Sequence, residues 1–213
     1  LLASSAASDV YKRQRLILLL VMAVTAFSVA GVNRAVALPD GSGDAPRYFS
    51  ISTNLVPWAG MHVNLAPEVL VSRHLTVQVP VLWCPWNISS RRSVKSFALQ
   101  PECRRWFGGK AAGYGHFVGI HASVAWFNLR NGDNRYQWVG RPLLGIGASY
   151  GYALQLCERF GMEFTLGLGW VNMRYNRYYN IPDGALIDRS VTNYFGIDRI
   201  GVSLRYVIDL KSR

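Results

Sequence analysis

From Arg47 onward the chain alternates bulky apolar residues with small or polar ones at a period of two, the signature of half-buried β-strands. Phe160, Met162, Phe164, Leu166, Leu168 and Trp170 fall on one face of such a strand, and Gly161, Glu163, Thr165, Gly167 and Gly169 on the other. The pattern recurs with Leu144, Ile146, Ala148, Tyr150, Tyr152 and Leu154 against Gly145, Gly147, Ser149, Gly151 and Gln155. It recurs again with Ile200, Val202, Leu204, Tyr206 and Ile208 against Arg199, Gly201, Ser203, Arg205 and Asp209. Val118–Trp126 and Leu75–Trp83 alternate likewise, and Arg47–Val56, Gly60–Val71 and Ser96–Phe107 bring the expected strands to eight. No convincing helix interrupts them. A soluble sheet would need a second sheet or helices to cover its large apolar face, so the expected fold is all-β: an eight-stranded antiparallel up-and-down transmembrane β-barrel with a side-chain-filled lumen.

The connections fit that expectation. Ser72–His74, Gly108–Gly113 and Cys157–Arg159 read as short turns at one end. Cys84–Lys95, Asn128–Gln137 and Arg174–Tyr194 read as longer loops at the other, with Pro57–Ala59 the one short exception. Short periplasmic turns alternating with long external loops characterise outer-membrane barrels. Trp83, Trp86, Trp106, Trp126, Trp138 and Trp170 sit near expected strand ends, where aromatic girdles form.

The N-terminal part reads differently. Lys12, Arg13 and Arg15 precede the apolar run Leu16–Val29, as in an export signal, with cleavage expected after Ala37 or Ala30. The expected organisation is a non-native translated leader over 1–14, a signal peptide over 15–37, a linker over 38–46 and the barrel over 47–210. Later apolar runs are too short for helical membrane spans. Half the residues are apolar and 13% aromatic, with seven Trp and eleven Tyr.

The formal charge of +11 could suggest nucleic acid, but the basic residues form no single helix or stripe and lie mainly in the expected loops. No nucleic-acid partner is expected. Cys84, Cys103 and Cys157 form neither a zinc-type pair nor a disulfide framework, leaving room for one incidental disulfide. The four histidines lack metal-ligand spacing, and no metal or cofactor is expected.

Alternation turns Glu68, Glu102, Arg104, Glu163, Arg199 and Arg205 inward with His62, His121, Gln78 and Gln100. An eight-stranded interior is only wide enough for side chains, and charges there must be paired. A polar plug is therefore expected rather than a pore. His121 and Ser123, two residues apart on one strand face, suggest a base beside a hydroxyl, with Glu163 or Glu102 as orienting acid. Lipid A deacylases combine such residues, but a lumenal pair is out of reach of a lipid ester, and a non-enzymatic protein is the primary expectation. Arg91, Arg92, Lys95, Arg130, Arg135, Arg174, Arg177 and Arg189 are expected to ring the external rim, where guanidinium forks suit phosphate.

Several stretches resemble a family of outer-membrane barrels found in Bacteroides-type bacteria and catalogued as domain of unknown function 3575. They are Thr53-Asn54-Leu55, Cys84-Pro85-Trp86-Asn87, Gln100-Pro101-Glu102 through Trp106-Phe107, Phe117–His121, Gly145–Tyr152 and Asn193-Tyr194-Phe195-Gly196. The resemblance covers roughly residues 48–208. It implies fold and an outer-membrane location, and it brings no activity, ligand or catalytic residues.

The expected function is thus a structural or anchoring barrel in the bacterial outer membrane. Its partners would be membrane lipid, including lipopolysaccharide at the basic loops, and an envelope or fimbrial protein. Two alternatives stand beside it: a soluble periplasmic barrel binding an apolar ligand, with bulky residues turned inward, and a lipid A-modifying barrel enzyme.

Overall fold

A computed structural model describes residues 47–89, 91–107 and 113–210. They belong to the second of two units, Leu1–Asp44 and Ala45–Arg213. The expected leader, signal and linker lie outside the described residues. The elements in order are β1 (Arg47–Asn54), a helical turn α1 (Leu55–Ala59), β2 (Val63–Ser72), β3 (Leu75–Gln78), β4 (Val81–Cys84), β5 (Arg92–Leu99), β6 (Glu102–Phe107), β7 (Gly115–Asn131), β8 (Asn134–Trp138), β9 (Leu143–Gln155), β10 (Phe160–Tyr179) and β11 (Leu186–Leu210).

Eleven segments make eight positions in a closed ring, because three positions are each built of two segments. Pro80 separates β3 from β4 and Pro101 separates β5 from β6; proline has no N–H to give to a ladder. Register survives both breaks: the Val79 N–H donates to the Pro67 carbonyl, the Gln100 N–H to Pro80 and the Ala122 N–H to Pro101, each at 3.0 Å. The third break, between β8 and β9, contains Gly140 at φ 74°. Every neighbouring pair is antiparallel, and β1 closes the ring on β11 from Arg47↔Leu210 to Asn54↔Ser203.

One row of cross-strand partners measures the geometry. From Ser50 it passes through Glu68, Gln78, Glu102, His121, Gly147 and Gly169 to Gly196. Ser50 itself pairs with Val207, eleven positions further along β11, of which one is a bulge residue. A stagger of that kind accompanies strands tilted by roughly 35–45° to the ring axis.

Burial alternates as the sequence requires. Phe164, Leu166, Ile146 and Leu204 are 42%, 51%, 58% and 42% exposed, on the outside of the ring, while charged residues lie inside. The soluble alternative, with these bulky residues turned inward, has the opposite polarity. Among the described residues no helix is long and apolar enough to cross a membrane, which does not bear on crossing by strands.

Three expectations need correction. The first strand ends at Asn54 rather than Val56, because the Asn54 side chain caps α1 by accepting from the Val56 N–H at 3.1 Å. Trp106 is no girdle residue: it shares the inward face of Glu102 and Arg104 and is buried, donating from Nε1 to Thr76 Oγ1 at 2.9 Å. With Phe117, whose ring centroid lies 4.7 Å away, it plugs the end of the ring where the chain enters and leaves. Trp83, Trp86 and Trp170 are exposed, and Trp83 and Trp86 pack at 6.1 Å.

The third correction concerns the long loops. Asn128–Gln137 is a hairpin turning at Gly132 (φ 61°), and most of Arg174–Tyr194 is paired strand. β10 pairs with β11 as far as Tyr178↔Leu186, whereas β1 stops at Ser203. One side of the ring is therefore a tall wall of β5, β7, β8, β10 and β11. Beyond the apolar belt both faces of that wall carry polar residues, and alternation disappears from the sequence.

Candidate functional site

The lumen holds an ion network centred on Arg104. Its Nε lies 2.5 Å from Glu102 Oε2, and Nη1 and Nη2 lie 3.1 Å and 3.0 Å from the two carboxylate oxygens of Glu163. Glu68 Oε1 stands 3.8 Å from Nη1. Arg199 Nη1 reaches Glu102 Oε2 at 2.6 Å, and Arg205 Nη2 pairs with Glu68. Three guanidinium groups thus face three glutamates. Hydroxyls complete the carboxylates: Thr76 donates to Glu68 at 2.6 Å, Ser50 to Glu68 at 3.1 Å, Thr165 to Glu163 at 3.0 Å, and Ser149 to Glu102. Aromatic faces cover two of the cations, with the Arg104 guanidinium carbon 4.5 Å from the Phe117 centroid and that of Arg205 5.2 Å from Trp106. Each of the three carboxylates is met by a guanidinium and at least one hydroxyl, while among the described residues Arg199 Nη1, His121 Nδ1 and Asp198 Oδ1 are buried with no hydrogen-bond partner; paired in this way, the charges fill the lumen.

All six charged residues expected in the lumen are brought together here. His62 is not among them; it sits before β2 and contacts the Gly60 carbonyl and Ser96 Oγ, both at 2.8 Å. Gln78 is buried and donates to Ser52 Oγ at 3.1 Å, and Gln100 lines the cavity described below.

Asp198 is the residue that alternation missed. With Arg199 inward, Asp198 should face out. A register shift opposite Gly167/Leu168 inserts it as a bulge, so both residues turn inward. Its Oδ2 lies 2.8 Å from His121 Nε2, and both side chains are buried. Glycines make the space: a Cβ at Gly147 would meet this carboxylate at 2.8 Å and His121 Nε2 at 2.7 Å, and one at Gly169 would collide with the carboxylate too. The run of small residues that faces it, Gly147, Gly167 and Gly169, is the one sequence signal that could have pointed to it.

The catalytic alternative named His121, Ser123 and Glu163. His121 takes its acid from Asp198, and Glu163 is bound to Arg104 and Thr165. Ser123 is buried in the same interior, with no hydrogen bond to His121 among those described. A cavity of about 120 Å³, lined by Ser52, Gln78, Arg104, Glu163, Asp198 and Arg199 among others, lies between the network and α1. It is polar and far too small for an acyl chain.

The basic residues lie mostly on strands, not loops. Arg91 precedes β5; Arg92 and Lys95 are on β5, Arg130 on β7, Arg135 on β8, Arg174 and Arg177 on β10, and Arg189 on β11. Directly opposed residues share a face, and two rows collect cations: Ser93–Arg130–Arg135–Tyr178 and Lys95–Asn128–Gln137–Asn176–Arg189. Arg174, opposite Val191, joins that face, which continues the outward alternation of Phe164 to Trp170. Arg177, opposite Tyr136 and Asp188, and Arg92, opposite Asn131, lie on the other face. Among the described residues the three cysteines are free, and no cluster of three His, Cys, Asp or Glu residues could hold a metal.

This inside-out ring defines a class: all-β, closed, with a charged interior and an apolar exterior. A family model described as "Protein of unknown function (DUF3575)" matches residues 16–208, and the chain belongs to that family. A comparison with curated proteins found no match.

Proposed function

We propose that this protein is a small outer-membrane β-barrel, exported by a cleaved signal peptide, that serves as a non-catalytic anchor contacting lipid with its belt and the cell envelope with its tall wall. One observation carries the reading: the ring exposes its bulky hydrocarbon side chains and buries its ions. A water-soluble protein rarely exposes so continuous an apolar surface, whereas lipid requires it. Closure supports the same reading, because an open sheet edge has unpaired backbone groups that hydrocarbon cannot satisfy. The filled lumen argues against conduction. A basic outer face beyond the belt suits contact with lipopolysaccharide phosphates.

The test is expression of the full chain in a Gram-negative host, followed by membrane fractionation and gel electrophoresis with and without boiling. The expected protein stays in the outer membrane through a urea wash, needs detergent for extraction, and migrates faster unboiled than boiled. A monodisperse protein released without detergent would overturn the proposal.

A further inference from the structure

The upper wall presents an electrostatic problem that the fold leaves unsolved. Arg130 and Arg135 are directly opposed on β7 and β8, and like charges so placed repel. Lys95, Arg174 and Arg189 share their face, and none of the five takes part in an ion pair among the described residues. The acids of the wall are elsewhere: Asp133 and Asp183 lie in turns, and Asp188 stands opposite Arg177 on the other face. The Arg135 guanidinium lies 5.0 Å over the Tyr178 ring, which holds the fork in place, and its buried Nε has no partner. The result is a partly exposed arginine pair, fixed by a hairpin, with no acid paired to it among the described residues.

Height on the wall says which acceptor. On β10, Leu166, Leu168 and Trp170 end the exposed apolar belt, and Arg174 follows four residues later on the same face. On β11, exposed Ile197 and Phe195 lead likewise to Val191 and Arg189. On β7, Ala122 and Val124 lead through Trp126 to Arg130. Along three strands the order is hydrocarbon, then large apolar or aromatic residue, then cation. A ligand matching that order has acyl chains below and phosphate above.

We infer that the outward face of the β7–β8 hairpin, with Lys95, Arg174 and Arg189 beside it, is a binding site for the phosphorylated headgroup of a lipid A-type glycolipid. Arg130 and Arg135 grip one phosphate, in the geometry that suits guanidinium forks, and the acyl chains lie along Trp170, Leu168 and Ile146. This site rests on the membrane reading above and deepens it.

The experiment uses the full chain, extracted in a non-ionic detergent and shown to be heat-modifiable. Binding of bisphosphorylated lipid A, fully dephosphorylated lipid A and inorganic phosphate is measured by native mass spectrometry at two salt concentrations. The wild type should retain bisphosphorylated lipid A, bind it less at higher salt, and bind each of the other two probes at least tenfold more weakly. Arg130→Gln/Arg135→Gln, on a half-buried hairpin outside the lumen network, should lose tenfold or more, while Arg92→Gln on the opposite face should change less than twofold. Equal binding by the double variant overturns the site, as does equal loss in Arg92→Gln, which would mean diffuse charge. Inorganic phosphate binding as well as the lipid would mean a free-anion site and overturn the lipid assignment. A chain that is not heat-modifiable fails earlier, taking the membrane reading with it; a heat-modifiable chain with unchanged lipid retention removes this inference alone.

Discussion

Replacing Arg104 with methionine asks whether the lumen is a dry plug or a wet channel. Methionine reproduces the aliphatic stem only as far as Nε, so the change removes the guanidinium charge and every contact that its Nη1 and Nη2 make with Glu163 and Glu68. Glu102 would keep Arg199 and Ser149, and Glu68 would keep Arg205, Ser50 and Thr76. Glu163 would keep one hydrogen bond, from the Thr165 hydroxyl, and a longer-range attraction to Arg199. One carboxylate thus loses its direct ion pair inside the ring. Breaking a buried pair by removing one partner costs about 3–5 kcal/mol, whereas a water-exposed pair is worth about 0–1 kcal/mol. Glu163→Gln alone leaves Arg104 with Glu102 and Glu68, and should cost less, about 1–3 kcal/mol. The two changes together remove that carboxylate's charge, so the double variant should be more stable than Arg104→Met, with a coupling of about 2 kcal/mol. The measurement is a urea titration in lipid vesicles, with the folded fraction read by heat-modifiable migration. Loss below about 1 kcal/mol in Arg104→Met, or coupling indistinguishable from zero, would refute the plug and favour a hydrated lumen.

Three shorter predictions probe other parts of the ring. Leu166→Arg, at the middle of the exposed belt, should cost about 2–4 kcal/mol in vesicles; a change within about 0.5 kcal/mol, usual for a water-exposed surface site, would contradict lipid contact. Cys84 is buried and should react with a water-soluble maleimide only after unfolding, Cys157 in the β9–β10 turn should react freely, and Cys103 on the outer face should be shielded in vesicles yet reactive in urea; rapid labelling of Cys103 in vesicles would count against the belt. Gly151→Ala puts a methyl group into the Phe117 ring and should cost about 1–3 kcal/mol, part of which Phe117→Leu should restore; equal stability of Gly151→Ala and wild type in the same titration would show that the ring moves aside.

Strand number, ring order and the inward charges were legible because one polar face and one apolar face impose strict alternation. The strands β9 and β10 show this best: Ile146, Tyr150, Leu166 and Leu168 alternate with residues too small to be anything but lumenal. Where both faces are polar the signal vanishes, and Asn128–Gln137 and Arg174–Tyr194 read as loops although the backbone continues as paired strand. Trp106 was misplaced for a different reason. Its position near a strand end suggested a girdle, but its parity with Glu102 and Arg104 already assigned it to the inside, and parity is the stronger constraint because a single-residue slip would reverse the whole strand. Asp198 lay beyond any parity argument, since a bulge is a local departure from the period itself.

That bulge also explains the distribution of volume in the lumen. Of the row that starts at Ser50, the first five positions supply side chains, through Glu68, Gln78 and Glu102 to His121, and the last three are Gly147, Gly169 and Gly196. An interior of eight strands has room for few large groups at one level, so bulk on one half requires glycine on the other. The glycine half is not left open: Asp198 reaches over Gly147 and Gly169 to His121, and Arg199, beside it on β11, reaches Glu102. Straightening the bulge by deleting one residue at this point would restore alternation and at the same time withdraw one of these two groups. Either His121 would lose its carboxylate or Glu102 its second guanidinium, with glycines opposite that cannot fill the space. The irregularity is therefore part of the packing, and the small residues of β9 and β10 are its counterpart.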